Sequence, residues 1–280
     1  MLTVAAPGKV NLSLFVGPPR EDGLHPLVSV VQPVSLADEL TLTPAPAADG
    51  DEVHCPGVEG PNLAARALAL FRAATGWDAP PQRLTIRKRI PLAAGMGGGS
   101  ADAAAALRLA ARAAGGAPDH LLHELAVALG ADVPALLTGG RVLMTGAGEH
   151  VDRLPDPESF GLVVVPSEAA LSTPDVYRAF DDRGTPRTPS ELDARAKAAR
   201  AGEPPPAVND LEPVARALCP AVDAPLAALR AAGASAAMVS GSGPTVFGVF
   251  ESLDAARDAA GTVGGVAVEP VGVTFGEVRP

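Results

Sequence analysis

Lysine is scarce in this chain: Lys9, Lys88 and Lys197 stand against nineteen arginines. In a chain that drifts so strongly toward arginine, each remaining lysine is a candidate for a role of its own. Aromatic residues are only 3% of the total, so Ala, Val and Leu must fill the core that a 47% hydrophobic content allows. The two cysteines, Cys55 and Cys219, form no metal-type cluster and could make at most one disulfide. No apolar run approaches the ~18 residues that a membrane helix needs. The opening MLTVAAPGKVNL has no basic segment ahead of an apolar stretch, so it does not read as a secretory signal. Positive charge is also short, with a formal net charge of −10 and a pI of about 4.9. This argues against a nucleic-acid binder, which would carry a basic face. An anionic small molecule remains allowed, because a local field can oppose the global one. The expectations are a cytoplasmic protein acting on a small molecule, with no nucleic acid, no membrane and no obligate protein partner.

A length of 280 residues suggests roughly two domains. The first 90 residues read mainly as strands at 10–16, 27–36 and 39–44, then a Pro/Gly/Asp loop to residue 62 with a short strand inside. Asn62 caps a helix over 63–76, and RLTIRKRIP (83–91) alternates as a strand up to its proline. Helices follow at about 100–114 and 118–129, then strands at 141–146 and 161–166. Between these strands, LPDPES (154–159) is the best domain boundary, which divides the chain into 1–155 and 156–280. The polar, proline-rich stretch 181–206 reads as an excursion from the core, with one short helix near 189–199. Helices at 208–218, 222–232 and 252–261 alternate with strands at 236–240, 245–250 and 266–275.

IPLAAGMGGGSADAAAAL (90–107) places Gly95, Gly97, Gly98 and Gly99 directly before an alanine-rich helix. A linker would mix glycine with Ser, Pro or charge and would not be joined to a strand on one side and a helix on the other. Here the order is strand, glycine loop, helix, with Ser100 at the expected N-cap. A helix N-terminus offers unpaired N–H groups and about half a positive charge. Glycines let those amides approach an anion without a Cβ in the way. Phosphate binding and a purely structural tight turn are the two readings. A Walker A loop is excluded, because no lysine follows the glycines, and a dinucleotide fingerprint fails because its third glycine position holds Ser100.

Four further places carry candidate chemistry. In APGKVNLSL (6–14), Lys9 and Asn11 share one strand face; Lys9 is either a solvated edge residue or, with Asn11, orients a hydroxylated or phosphorylated ligand. His25 in DGLHP (22–26) reads by itself as a surface turn residue. Asp132 in GADVP (130–134) is either a cap for a short helix or a base near a substrate hydroxyl. SGSGP (240–244) is a hairpin turn or a second ligand loop. HLLHE (120–124) lacks metal-ligand spacing and reads as a surface pair, while RKR (87–89) and DD (181–182) read as solvated charge.

Together, PGKVNLSL, DGLHPLVSVVQPVSLADEL, the glycine loop, LGADVP, NDLEP (209–213) and SGSGPTVFGVF resemble the GHMP kinase superfamily over nearly the whole chain. The resemblance implies an α/β (α+β) fold in two domains. The N-terminal one would be ribosomal-protein-S5-like, with a left-handed β-α-β crossover, and the C-terminal one ferredoxin-like, with the site in the cleft between them. It implies phosphoryl transfer from ATP with Mg²⁺ to a substrate hydroxyl, on a substrate that carries cytidine. Asp132 would take the hydroxyl proton, with Lys9 beside it. Pro91, Leu92, Ala93, Ala94, Gly95, Met96, Gly97, Gly98, Gly99, Ser100 and Ala101 would wrap the nucleotide phosphates. Asn11, His25, Tyr177, Ser240, Gly241, Ser242 and Gly243 would contact the substrate, with His25 at the cytosine edge and Tyr177 stacked on the base. No protein ligand for the metal is assigned. Two positions depart from the pattern: Leu24 replaces a tyrosine before the motif histidine, and Ala101 replaces a second serine after the glycines. Three rivals stay open: a GHMP kinase for another small acceptor such as homoserine, a diphosphate decarboxylase, and a non-catalytic nucleotide-binding module.

Overall fold

The computed structural model describes residues 1–92, 95–167, 169 and 171–280. Strand β1 (Leu2–Val16) pairs antiparallel with the long β2 (Leu27–Pro44), which also pairs with β4 (Gln82–Arg87) and β5 (Val142–Gly146). β3 (Glu52–His54) runs parallel to β4, with helix α1 (Leu63–Thr75) as the crossover, and β6 (His150–Arg153) pairs with β5. β3–α1–β4 is thus a parallel β-α-β unit at one edge of this sheet. Among the described residues, the sheet has six strands in the order β3-β4-β2-β5-β6, with β1 on β2.

Helix α2 (Gly98–Ala113) lies against β1 and β2 beside α1, with α3 (Asp119–Leu129) and the short α4 (Val133–Thr138) packed around it. α2 is buried nearly all round, and Ala103 to Ala106 are fully inaccessible. Alanine serves here twice. It is the strongest helix former, and its small side chain lets α2 lie close to β1, β2 and α1 in one core with Leu40, Leu42, Leu68, Phe71, Leu84 and Ile86. This packing replaces the aromatic volume that the chain lacks.

A second sheet follows. β7 (Gly161–Val165), β8 (Ala236–Val239), β9 (Val246–Phe250) and β10 (Val266–Val268) are ordered β10-β7-β9-β8. Numbered within this half the order is 4-1-3-2, the ferredoxin-like arrangement, with α8 (Asp223–Ala231) and α9 (Leu253–Val263) as its crossover helices. Before them come α5 (Thr173–Arg183), α6 (Pro189–Arg200) and α7 (Glu212–Leu218). Two apolar clusters join residues of both halves, such as Leu14 and Val31 with Phe180 and Val214. Among the described residues, no helix is long and apolar enough to cross a membrane. Both cysteines are free thiols.

Three expectations need correction. Ser100 is not the N-cap: Gly97 is, in the left-handed conformation, and Ser100 is the third residue of α2. A positive φ at the cap needs glycine, so the helix begins where the last strained glycine ends. Residues 266–275 are not one strand, because Pro270 interrupts them and Val273–Gly276 forms a 3₁₀ turn. The 181–206 stretch is not wholly an excursion: α6 carries a full capping box at Thr188 and Glu191, and buries Leu192 and Ala196 near Phe15. The helix over 173–183 is an addition for which the sequence reading gave no assignment; Pro174 sits at its start, where a proline costs no hydrogen bond.

Candidate active site

The register of β1 sets the site. It shifts between Pro7 and Lys9 and again between Asn11 and Ser13. Irregularities of this kind twist a strand locally and re-aim its side chains, and these two bracket Lys9 and Asn11. Both side chains are almost fully buried, at 4% and 3% exposure. A buried ammonium needs partners, and Lys9 has them. Its Nζ donates to Asn11 Oδ1 at 2.7 Å and lies 3.5 Å from Asp132 Oδ2. The Asn11 amide in turn donates to Ser29 Oγ at 2.8 Å. The orientation of Asn11 follows: its carbonyl faces the lysine and its amide faces the serine.

The glycine loop closes over this group. Lys9 N donates to Met96 O at 2.9 Å, which ties strand to loop. A Cβ on Gly97 would meet the Lys9 side chain at 3.2 Å, and one on Gly95 would lie 2.7 Å from Gly243 O, both at positive φ. The glycine loop and the 240–243 loop therefore pack backbone to backbone, an approach that only glycine permits. The ladder of α2 begins with Ala101 N donating to Gly97 O. The N–H groups of Gly98, Gly99 and Ser100 have no partner within that ladder and mark its electropositive end.

Asn209 anchors the 240–243 loop. It donates to Val239 O and Gly241 O, both at 2.8 Å, and its Oδ1 accepts from Leu211 N. Ser240 is buried beneath Asn11, while Thr173 Oγ1 and Ser242 Oγ are 2.9 Å apart. At the far end His25 is buried, with Nδ1 2.9 Å from Gly17 O and its ring 5.0 Å from that of Tyr177. Burial, then the charge of Asp132, raises the Tyr177 hydroxyl to a pKa of about 12, so it stays protonated.

A cavity of about 810 Å³ joins these pieces. Lys9, Asn11, His25, Asp132 and Tyr177 line it, together with Gly95, Gly97, Ser100 and Gly241 to Gly243. Of the other expected residues, Met96 and Ala101 are packed in the core and Ser240 is buried. Gly98 and Gly99 form the first turn of α2, and Pro91 and Leu92 are exposed. Ala93 and Ala94 lie outside the described residues. Asp132, not His25, is the more exposed group: its side chain is 32% accessible, within reach of a ligand in the cavity. His25 is therefore no surface turn residue.

Two acidic groups escaped the sequence reading. The RKR triplet is not simply solvated charge: Lys88, its side chain 13% exposed, lies between Asp38 and Asp102, bonded to the carboxylates of both. Period-two alternation from Leu84 through Ile86 to Lys88 was the available signal, since it puts the lysine on the inward face. One lysine faces two carboxylates. Burial pushes Asp102 up to about 7 despite the opposing charge of Lys88, and its Oδ1 has no hydrogen-bond partner. The lysine, although burial opposes its charge, is held above its usual value by the hydrogen bonds it donates to both carboxylates. The DD pair is likewise not all solvent-facing: Asp181 Oδ1 lies 3.3 Å from His25 Nε2. Among the described residues, no cluster of three or more His, Cys, Asp or Glu side chains could hold a metal ion.

A two-layered α/β molecule with a glycine-capped helix opening onto a Lys–Asp pair defines a class. Family models agree: GHMP kinases N terminal domain matches residues 62–140, and GHMP kinases C terminal matches residues 191–265. The chain is 44% identical to a 4-diphosphocytidyl-2-C-methyl-D-erythritol kinase of Streptomyces coelicolor, over 94% of this chain and 92% of that one. Against the namesake kinase of Anaeromyxobacter dehalogenans it is 40% identical, over 95% and 86%. A crystal structure of 4-(cytidine 5'-diphospho)-2C-methyl-D-erythritol kinase superposes with a TM-score of 0.79 at 38% identity, over 96% of this chain and all of that one. A homoserine kinase of Cytophaga hutchinsonii shares the fold at a TM-score of 0.70, with 19% identity over 100% of this chain and 97% of that one. The chain belongs to the GHMP kinases and, within them, to the family of 4-diphosphocytidyl-2-C-methyl-D-erythritol kinases.

Proposed function

We propose that this enzyme transfers the γ-phosphoryl group of ATP to the 2-hydroxyl of 4-diphosphocytidyl-2-C-methyl-D-erythritol, releasing ADP, as a step of non-mevalonate isoprenoid synthesis. The observation that carries the reading is the Lys9–Asp132 pair at 3.5 Å, in one cavity with the glycine loop at one end and the His25–Tyr177 pair at the other. Phosphoryl transfer asks a protein mainly for positioning and for stabilisation of spreading negative charge. Asp132 accepts the proton of the attacking hydroxyl. Lys9, fixed by Asn11, orients that carboxylate and offsets charge on the transferring group. The N–H groups opening α2, with Gly95, Gly97 and Ser100, cradle the phosphates. Tyr177 stacks on the cytosine, His25 reads its edge, and Gly241 to Gly243 close over the substrate. The cleft is the junction of an N-terminal domain, 1–155, and a C-terminal domain, 156–280.

Magnesium fits this donor set as a companion of the nucleotide. The ion keeps several waters and binds through one or two carboxylates plus phosphates. Asp132 and the Ser100 hydroxyl are the cavity-lining donors at the phosphate end, and there the ion would neutralise developing charge. An assay with ATP and Mg²⁺ on 4-diphosphocytidyl-2-C-methyl-D-erythritol, homoserine and mevalonate diphosphate tests the proposal. Turnover on the cytidyl acceptor is expected; turnover confined to another acceptor would overturn it.

A further inference from the structure

Helix α4 has six residues, Val133–Thr138, and Asp132 stands immediately before it. A helix this short does not hold itself in place, and the Asp132 side chain makes no hydrogen bond to its own helix. The place of that carboxylate is therefore inherited from the contacts that fix α4. At the far end, each of the last four carbonyls of α4 has a partner. Gly139 N donates to Ala135 O at 3.1 Å, and Arg153 Nη2 donates to Thr138 O at 3.1 Å. The two between them, Leu136 O and Leu137 O, both accept from Arg108 Nη2, the second at 2.7 Å. Arg108 belongs to α2, the helix that opens on the glycine loop. Among the described residues no carboxylate pairs with it. Burial lowers its pKa to about 10, so the guanidinium is still charged at neutral pH. Carbonyls at a helix C-terminus attract such a cation. Two glycines leave it room: a Cβ on Gly276 would lie 2.8 Å from Arg108 Nη1, and one on Gly139 3.4 Å from Nη2.

The same contact reaches the reacting groups. Leu136 N donates to Asp132 O at 3.2 Å. The Leu136 side chain packs on the glycine cap of α2: a Cβ on Gly97 would meet Leu136 Cδ1 at 3.4 Å and Lys9 Cε at 3.2 Å. Because α2 is locked into the core with Leu40, Leu42 and Phe71, α4 is the helix whose place depends on the link. The Lys9–Asp132 contact at 3.5 Å, with the Asp132 side chain 32% exposed, is too weak a tie to fix it alone. We infer that Arg108 is a positioning residue for phosphoryl transfer: by holding Leu136 O and Leu137 O it fixes α4 against α2, and so sets Asp132 against Lys9 and the glycine loop. This rests on the reading of Asp132 as the base.

The test is a double-mutant cycle read in kcat, with wild type, Arg108→Met, Asp132→Asn and the double variant on ATP, Mg²⁺ and the cytidyl substrate. Arg108→Met keeps an unbranched side chain and removes the donors. Alone it is expected to lower kcat by about 10–10²-fold, the scale of a reacting group displaced by about 1 Å. KM for the acceptor, and ATP affinity by calorimetry, should change far less. In the Asp132→Asn background the same substitution should cost almost nothing further, because the group that it places has gone. Arg108→Lys keeps the charge without the planar fork. It should fall between wild type and Arg108→Met, and it carries the same comparison if Arg108→Met does not fold. Losses in kcat that multiply in the double variant would mean that Arg108 only stabilises the fold, and would overturn the inference alone. Wild-type kcat in folded Arg108→Met, or a raised KM at unchanged kcat, would do the same. An Asp132→Asn enzyme that turns over like wild type would overturn the inference together with the reading of Asp132.

Discussion

Gly99 and Gly95 separate what the fold requires of the glycine loop from what a ligand requires. A Cβ on Gly99 would meet nothing within 4 Å, and its φ is helical. The fold has no use for glycine there; alanine is the better helix former by roughly 0.5–1 kcal/mol. Gly95→Ala is the opposite case. It forces alanine into a left-handed backbone, which costs about 1–2 kcal/mol, and places the methyl 2.7 Å from the carbonyl of Gly243. Thermal denaturation and the KM for ATP read the two together. Gly95→Ala should lower Tm by about 2–4 °C for each kcal/mol lost. Gly99→Ala should leave Tm level or higher, yet raise the KM for ATP about tenfold, as expected for one lost charge-assisted hydrogen bond. If Gly99→Ala binds ATP like wild type, no phosphate approaches that backbone and the loop is only a turn at this position.

The Lys88–Asp38–Asp102 cluster makes stability depend on pH. Asp102 is raised in the fold, so its contribution is greatest at low pH and is lost as pH rises through about 7; melting curves should show a loss on the order of 1 kcal/mol between pH 6 and 8, flattened in Asp102→Asn. Asn209→Ala removes two donors from buried carbonyls of the 239–241 segment and should cost about 1–3 kcal/mol in urea unfolding, with KM for the acceptor raised as its loop loosens. Tyr177→Ala should raise KM for the cytidyl substrate while Tyr177→Phe largely restores it, because the proposed stacking needs the ring rather than the hydroxyl. Phe71→Ala, at a fully buried site in the helical core, should destabilise by about 3–5 kcal/mol with KM values unchanged in the folded fraction.

Much of this was legible in local pattern. Asn62 and Gly76 do bound α1 as cap and stop, and Gly130 ends α3, because caps depend on adjacent residues. The glycine loop announced itself through composition, and the short motifs around Lys9 and Asp132 marked their neighbourhoods. What stayed hidden depends on contacts far apart in the chain. Nothing local says that β1 bulges at Lys9, since the register belongs to its pairing with β2. Asp38 and Asp102 are remote from each other in sequence, so the half-buried Lys88 read as surface charge. Asp181 faces His25 across the cavity, and only the packing of α5 against the turn before β2 makes that contact. The α2 start slipped two residues because a left-handed glycine cap competes with serine as a helix opener, and backbone conformation decides between them.

The most direct test of the central claim is turnover by Asp132→Asn with ATP, Mg²⁺ and the cytidyl substrate, alongside its ATP affinity by calorimetry. The substitution keeps shape and removes the proposed base. The account predicts that kcat falls by about 10²–10⁴, the usual contribution of a positioned base, while ATP binding at the glycine loop stays as in wild type. Turnover near the wild-type rate would contradict it, and would leave the Lys9–Asp132 pair as a structural ion pair.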